Sequence, residues 1–175
     1  MQKGIMRKRR ASPLSEYGKQ LQAKQALKKE YDLRERQFKG YVGKVLAKKH
    51  QGVDTSEFLL QKLETRLDGV VFRMGFAQTR AQARQLVGHG HIMVNGKVMN
   101  VPSYQVQKGQ IISVKPVSLE KTNIKNTKLS LKKFQPPSWV ELDKENMSGT
   151  VKDFPKLQEV RSEVDIPLVF EFYSR

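Results

Sequence analysis

Five basic side chains form two sets, and the spacing within each set places its members on one side of a helix. Arg80 and Arg84 are four residues apart, and Lys62, Arg66 and Arg73 are separated by four and then seven residues. Because one helical turn takes 3.6 residues, each set falls on one edge of its helix. A guanidinium group binds phosphate through two parallel hydrogen bonds, so such an edge suits a nucleic-acid backbone. A solvated helix face is the alternative for Arg80 and Arg84 taken alone, and the three further bases favour phosphate binding.

Two histidines lie beside a glycine turn. His89 and His91 flank Gly90, but a metal site needs further ligands, and the sequence has no cysteine and no neighbouring cluster of His and carboxylates. We predict a turn-stabilising or RNA-contacting role for this pair, and no metal. The sequence also lacks a Gly-rich phosphate loop, a catalytic triad and an HExxH motif. It therefore predicts a protein that is not an enzyme and uses no cofactor.

The positive charge is concentrated at the start of the chain. The 175 residues include 33 Lys and Arg against 17 Asp and Glu, a net charge of +16. Residues 1–52 hold 15 of these bases and only 4 acids, whereas a solvated helix face carries both signs in similar numbers. The unbroken basic run Arg7–Arg10 is expected to become ordered only on a polyanion. Since no apolar run exceeds three residues, no membrane span is predicted.

The pattern of apolar residues predicts the helices that position these groups. Asp54 and Glu57 form a capping-box pattern at the start of the strongest helix, whose apolar repeat of three to four residues continues to Met74. Thr79 is a good N-cap for the next helix, which ends at one of two glycines. The predicted helices cover residues 14–30, 34–49, 54–74 and 79–88 or 79–90.

Short strands are predicted after the helices. Asn95-Gly96 is a two-residue hairpin signal between residues 92–94 and 97–99. Further strands are predicted at residues 111–114, 139–142 and 149–151, and residues 116–137 are only weakly patterned. The end of the chain, residues 166–173, is too apolar for a free tail, so we expect it to pack back on the body.

Part of the sequence resembles the small RNA-binding module first described in small-subunit ribosomal protein four. The matching stretches are Leu63–Asp68, Arg73–Ala77, Thr79–Val87 and Gly88–Gly96. RNA-modifying enzymes and a tRNA synthetase share that module, so alone it implies only binding to structured RNA. The flanks are similar to the bacterial-type ribosomal protein four family itself, through Leu14–Leu21, Glu35–Phe38, Val101–Tyr104 and Val169–Arg175.

The resemblance implies an α+β fold, with an inserted module of two helices and a short antiparallel hairpin or sheet in a helical domain. We expect the helical rRNA-binding domain at residues 1–62, joined by 162–175, the module at 63–140, and residues 141–175 packing back on the body. The family usually begins with about thirty more residues, in which some members carry a cysteine cluster for a metal. This sequence begins just before its basic run, so the usual N-terminal lobe is not expected.

The function implied is that of a structural constituent of the small ribosomal subunit, in a cytoplasmic or organellar ribosome. It would bind 16S-type rRNA directly, nucleate assembly of the subunit body and contribute to translational accuracy with ribosomal protein five. Other small-subunit proteins and the path by which mRNA enters are further implied contacts, whereas a membrane and a homo-oligomer are not expected. The mixed charges of residues 141–161 favour that region for the contact with protein five. The implied RNA-binding residues are Arg7, Lys8, Arg9, Arg10, Tyr17, Lys62, Arg66, Arg73, Thr79, Arg80, Gln82, Arg84, Gln85, His89, His91, Asn95 and Lys97.

Two other functions use the same module. A free-standing RNA-binding factor of the stress or ribosome-rescue type would carry the module near one terminus and would lack the matching flanks. An RNA-modifying enzyme is suggested by Arg66-Leu67-Asp68, which resembles the Arg-Leu-Asp of pseudouridine synthases, whose Asp is the nucleophile. No catalytic domain of adequate size remains on either side, so we predict that Asp68 is a helix-surface partner for an arginine. Trp139 and the aromatic end could stack on bases, but we assign them to the core.

Overall fold

The computed structural model describes residues 13–48, 52, 54–120, 122–160 and 162–174. They form seven α-helices and one antiparallel sheet, which confirms the predicted α+β class. The basic run Arg7–Arg10 lies outside the described residues. None of the described helices is long and apolar enough to span a membrane. The elements are α1 (Glu16–Glu30), α2 (Glu35–Leu46), α3 (Thr55–Glu64), α4 (Leu67–Arg73), α5 (Arg80–Gly88), β1 (Ile92–Val94), β2 (Lys97–Val98), β3 (Ile111–Val114), α6 (Thr122–Leu131), β4 (Val140–Asp143), β5 (Ser148–Val151) and α7 (Ile166–Tyr173).

The first three helices and the last one form a helical lobe (α1, α2, α3 and α7). α1 begins at Ser15 because its hydroxyl accepts a hydrogen bond of 3.2 Å from the amide of Gly18. Leu27, Phe38 and Val169 come from three different helices and are fully buried in one apolar cluster. The apolar C-terminal segment is therefore a helix that completes the core of this lobe.

The second core belongs to the module, which consists of α4, α5, α6 and the sheet. The strand order is β2-β1-β3-β5-β4, with every pair antiparallel. Asn95 and Gly96 join β1 to β2 with positive φ angles of 47° and 78°, as a tight two-residue hairpin requires. The side-chain oxygen of Asn95 also accepts a hydrogen bond of 2.8 Å from the amide of Ile111, which fixes the turn against β3. Trp139 is buried in this core, as predicted.

The predicted single helix from Asp54 to Met74 is wrong in one respect, because the chain leaves the helix at Thr65 and Arg66. Asp54 caps α3 as expected, but Arg66 is extended, with φ −61° and ψ 141°, and a new helix begins after it. The amide of Val106 donates a hydrogen bond of 2.8 Å to the carbonyl oxygen of Thr65. A distant part of the chain thus replaces hydrogen bonds that a continuous helix would have made.

Two further features differ from the sequence-based expectation. Residues 122–131, within the weakly patterned stretch, form α6, which buries Ile124 and Leu131 in the module core. The predicted boundary at residue 140 falls inside the sheet, because β5 pairs with β3 and β4 pairs with β5. Of the described residues after 140, Met147 and Val151 therefore belong to the module core, and Val160 and α7 belong to the helical lobe.

Candidate nucleic-acid interface

A buried carboxylate at the end of α3 accepts hydrogen bonds from two of the predicted phosphate-binding arginines. Glu64 accepts two hydrogen bonds of 2.7 Å from Arg73 and one of 3.1 Å from Arg80. The hydroxyl of Tyr31, at the end of α1, donates a fourth bond of 2.7 Å. Burial alone would raise the pKa of Glu64, but the bonds and charges of the two arginines outweigh it and hold that pKa below its ordinary value. These four residues, the Glu64 cluster, tie the helical lobe to the module.

A second cluster surrounds Asp68 on α4. Arg66 donates to both of its carboxylate oxygens, at 2.9 and 2.7 Å, and Arg84 donates to it at 3.1 Å. Arg84 also crosses to the helical lobe, where it donates to the backbone carbonyl of Asp32 at 2.7 Å and to its carboxylate at 3.0 Å. Asp68 is therefore an arginine partner as predicted, but it is buried rather than on the helix surface. With its oxygens held in this way, it is not placed to act as a nucleophile.

The predicted basic edge of Lys62, Arg66 and Arg73 does not exist as one surface. Lys62 is half-exposed, whereas the side chain of Arg66 is only 4% exposed because the extended backbone turns it toward Asp68. Burial alone lowers the pKa of Arg66, but its bonds to Asp68 raise that pKa above the ordinary value. Arg73 keeps 29% of its side-chain surface while bound to Glu64. A phosphate contact by Arg66 thus finds no support in the geometry.

The pair Arg80 and Arg84 is also not a simple exposed edge. The side chain of Arg80 is 11% exposed, and its guanidinium carbon lies 4.3 Å from the ring centre of Tyr31 and 4.9 Å from that of Phe72. The side chain of Arg84 is 31% exposed, and each of its three guanidinium nitrogens donates a hydrogen bond within the protein. Ala83 is fully buried beside them, as the apolar pattern of α5 predicted. A solvated helix face, the alternative for Arg80 and Arg84, is therefore not what the structure shows, because both side chains donate to carboxylates of the fold.

The start of α5 uses two of the predicted contacts for capping. Thr79 Oγ1 accepts a hydrogen bond of 3.1 Å from the amide of Gln82, which confirms the N-cap. Gln82 in turn accepts a bond of 2.8 Å from the amide of Gln78 through its side-chain oxygen. Binding of RNA by Thr79 and Gln82 stays a prediction, and both residues already serve a local structural purpose.

The far end of α5 and the hairpin leave more surface to solvent. Gln85, His89 and Lys97 are exposed, and the ring centres of His89 and His91 lie 6.1 Å apart. His91 is half-buried with Nδ1 2.9 Å from the hydroxyl of Ser118, which is consistent with a turn-stabilising role. Within the described residues, no group of three or more metal-ligating side chains is gathered in one place.

Tyr17, the remaining predicted contact, lies on α1 and is 50% exposed. Its ring centre is 5.8 Å from that of Phe172 on α7. Contact of Tyr17 with RNA stays a prediction.

Comparison with known proteins gives the family. Residues 1–64 match the ribosomal protein S4/S9 N-terminal domain, and residues 65–112 match the S4 domain. The chain is 47% identical to small ribosomal subunit protein uS4 of Chloroflexus aurantiacus over 95% of its own length and 80% of that protein. The chain belongs to the uS4 family. The uS4 proteins of Thermotoga maritima and Chromobacterium violaceum are 46% and 44% identical to it, again over 95% of this chain and over 78% and 79% of those proteins.

The two regions of uS4-family similarity meet between residues 64 and 65. That junction is where α3 ends and where Glu64 is bound by Tyr31, Arg73 and Arg80. The uS4-family chain therefore changes from one matched region to the other at the cluster that joins the two lobes.

Sequence reasoning missed a basic face on α2 and the turn after it in this uS4-family chain. Arg36, Lys44 and Lys48 are exposed, and none forms an ion pair with another described residue. Their positions are multiples of four residues apart, and position 40 between them is a glycine. This four-residue spacing without an acid is the signal that could have identified the face.

Proposed function

We propose that this chain is a structural constituent of the small ribosomal subunit and binds small-subunit rRNA directly. The observation that carries the proposal is the similarity to proteins named small ribosomal subunit protein uS4 over 95% of the chain. The uS4 family is a structural family rather than an enzyme family. The occupied, buried carboxylate of Asp68 agrees with this, because a nucleophile must be free to attack.

The charge of the chain gives this function a physical mechanism. A net charge of +16 can offset phosphate repulsion where several rRNA helices converge, and each phosphate neutralised releases counterions. Side chains cannot read the narrow major groove of A-form RNA, so contacts to phosphate, to the 2′-hydroxyl and to unpaired bases should dominate. The buried ion-pair clusters would keep the two lobes at a fixed spacing on that RNA.

The finer features of the function rest on resemblance to the family. We infer that the protein acts early, nucleating assembly of the subunit body in the cytoplasm, and contributes to accuracy through ribosomal protein five. The region from residue 141 supports a protein contact by its mixed charges, since Lys152 pairs with Glu141 at 3.1 Å and Lys108 pairs with Asp153 at 3.2 Å. Exposed pairs of both signs suit recognition by charge complementarity.

Sucrose-gradient fractionation tests the structural role. Ribosomes from cells that produce the tagged chain are washed in high salt, and the protein is quantified against small-subunit rRNA. A structural constituent stays in the small-subunit fraction at one copy per particle. A chain that leaves the particle in the wash, or that is present in far fewer copies than the rRNA, would contradict the proposal and would fit a free-standing factor.

A further inference from the structure

A basic groove runs between the helical lobe and the module on the side of α2. Its volume is about 460 Å³, within the range of roughly 300–1,000 Å³ typical of ligand sites. α2 and the turn after it supply four of its lining residues, α3 supplies two, and the segment after β2 supplies two. The residues that line this lysine groove are Tyr41, Lys44, Ala47, Lys48, Phe58, Lys62, Ser103 and Gln105.

The charges of the lysine groove are unbalanced. Three of its lining residues are lysines and none is acidic, and Lys44, Lys48 and Lys62 form no ion pair with any described residue. A neighbouring groove shares Tyr41, Lys44 and Ser103. It adds two bases, Arg36 and Arg66, of which only Arg66 is paired with a described acid. Positive charges without partners along a concave surface raise the local concentration of anions.

Aromatic rings give the lysine groove a second property. The ammonium groups of Lys48 and Lys62 lie 5.4 and 5.3 Å from the ring centre of Phe58, which is half-buried. Tyr41 is held in place because Arg66, itself fixed by Asp68, donates a hydrogen bond of 2.8 Å to its hydroxyl. The groove therefore combines aromatic rings with cationic side chains that form no ion pair with a described residue.

We propose that the lysine groove holds an unpaired segment of the RNA, with a base against Phe58 and phosphates against Lys44, Lys48 and Lys62. The inference rests on the proposed rRNA-binding function and names a contact within it. Single strands are recognised by positively charged grooves whose aromatic side chains stack on bases, because every base has a π-face. Duplex RNA would not need the ring, since it is recognised through its backbone and shape. An acidic peptide could pair with the lysines, but it would not account for the aromatic rings in the groove.

Salt titration of binding to a bacterial 16S rRNA transcript tests the phosphate contacts. The groove variant is Lys44→Gln/Lys48→Gln/Lys62→Gln in the full chain, and the matched control is Lys125→Gln/Lys132→Gln/Lys156→Gln, which removes the same charge from exposed positions elsewhere. The slope of log K against log salt should fall by about 0.7 per single-strand contact, or about 2 for the groove variant. Equal slopes for groove and control variants would overturn the inference.

The variant Phe58→Leu tests the stacked base, because leucine keeps the apolar packing and removes the ring. Affinity should fall by about 5- to 150-fold with an unchanged salt slope, while circular dichroism shows an intact fold. Unchanged affinity would overturn the base contact. If the groove variant Lys44→Gln/Lys48→Gln/Lys62→Gln loses binding to polyglutamate but keeps its binding to rRNA, the occupant is an acidic peptide and the inference is overturned. Failure of the wild-type chain to bind the transcript would instead contradict the proposed function.

A tethered cleavage reagent locates the RNA. The sequence has no cysteine, so Ser103→Cys places one thiol in the groove, to which iron-EDTA is attached. Cleavage should map to nucleotides that are unpaired in the rRNA and should differ from cleavage by the control Val117→Cys, at a residue that is 76% exposed. Cleavage confined to duplex regions would overturn the inference.

Discussion

Arg80 lies at the start of α5 beside the buried carboxylate of Glu64, and its guanidinium is enclosed by the rings of Tyr31 and Phe72. A charged donor that reaches a buried carboxylate stabilises the fold, because removing one partner leaves the other charged and without water. The arginines with RNA-binding spacing therefore serve first to stabilise the fold. Their spacing correctly predicts the helix, but it does not identify the carboxylate to which each arginine donates its hydrogen bonds.

The double variant Arg80→Ala/Arg84→Ala is the first prediction. Exposed positions would lose only about 0.5 kcal/mol each, but these side chains bind Glu64, Asp68 and Asp32. We expect the free energy of unfolding to fall by about 2–4 kcal/mol, because charged hydrogen bonds are lost and carboxylates keep fewer partners. Urea denaturation followed by circular dichroism measures the change.

The control for this variant is Gln85→Ala/Lys97→Ala, which truncates exposed residues of the same module. Its unfolding free energy should stay within about 0.5 kcal/mol of the wild type for each site. If the arginine variant is as stable as this control, the ion pairs do not stabilise the fold and the residues are free for RNA.

Three helices of the helical lobe meet at one carboxylate. Glu35 on α2 accepts hydrogen bonds from Lys24 and Lys28 on α1, at 3.1 and 3.0 Å, and from the hydroxyl of Tyr173 on α7, at 2.6 Å. Burial by itself would raise the pKa of Glu35, but these donors, with Tyr173 the strongest, lower it to about 2. Protonation of Glu35 should therefore weaken the attachment of the last helix.

The pH dependence of stability is the second prediction. The pKa of Glu35 is lower in the folded state than its ordinary value of 4.5, so its contribution is present above pH 4.5 and is lost as the pH falls toward 2. Urea midpoints measured from pH 6 to pH 2 should decline less steeply over that window in Glu35→Gln than in the wild type. The control Glu145→Gln removes an exposed carboxylate and should follow the wild-type curve. A Glu35→Gln curve parallel to the wild type would contradict the assignment.

The turn after α4 gives the third prediction. Gly75 has a φ of +74°, and a Cβ there would lie 2.9 Å from the ring of Phe134. Gly75→Ala should lower the free energy of unfolding by about 2 kcal/mol or more through backbone strain and this clash. Gly88→Ala is the matched control, because its Cβ would meet no atom within 4 Å and alanine favours a helix by about 0.5–1 kcal/mol. Changes of opposite sign in the free energy of unfolding, measured by urea denaturation, support this account, and equal changes refute it.

The same elements show what the sequence can predict and what it cannot. The caps at Asp54 and Thr79 and the Asn95-Gly96 hairpin depend on residues within three or four positions, so local reasoning predicts them. The break at Thr65 depends on hydrogen bonding to a segment forty residues later, which no local pattern contains. The apolar repeat continues across that break although α3 buries Leu63 in the core of the helical lobe and α4 buries Leu67 in the core of the module.

The candidate interface was predictable only in part, for a related reason. Net charge and the basic spacing identify a polyanion partner, but the sequence does not say which arginines meet an acid inside the fold. Glu64 is nine residues from Arg73 and sixteen from Arg80, and only the folded chain brings them together. Lys44 and Lys48 have an equally regular spacing, but the sequence does not show that they stay without an acidic partner in the fold.

The two apolar cores are joined by ionic contacts between the lobes. Glu64 and Asp32 of the helical lobe accept hydrogen bonds from three arginines of the module, Arg73, Arg80 and Arg84. Glu64 is fully buried, whereas Asp32 is about half exposed. When one partner of a buried ion pair is removed, the other charge stays buried without a partner and the folded state loses stability. Rigid spacing between the lobes should therefore depend more on Glu64 than on any single apolar residue at the junction.

Cooperative unfolding of both lobes is the last prediction. Trp139 is the only tryptophan and lies in the module core, so its fluorescence reports the module, while circular dichroism at the helix band also reports the helical lobe. In the wild type the two unfolding curves should coincide, as a two-state transition requires. In Glu64→Gln, the loss of the buried charge should cost about 3–5 kcal/mol, and the two curves should separate.

Tyr31→Phe, the control, removes only a hydroxyl and should keep the two curves together with a loss of about 1 kcal/mol. Coincident curves in Glu64→Gln would show that the lobes remain coupled without this carboxylate, and separated curves in the wild type would show that they were never coupled by it.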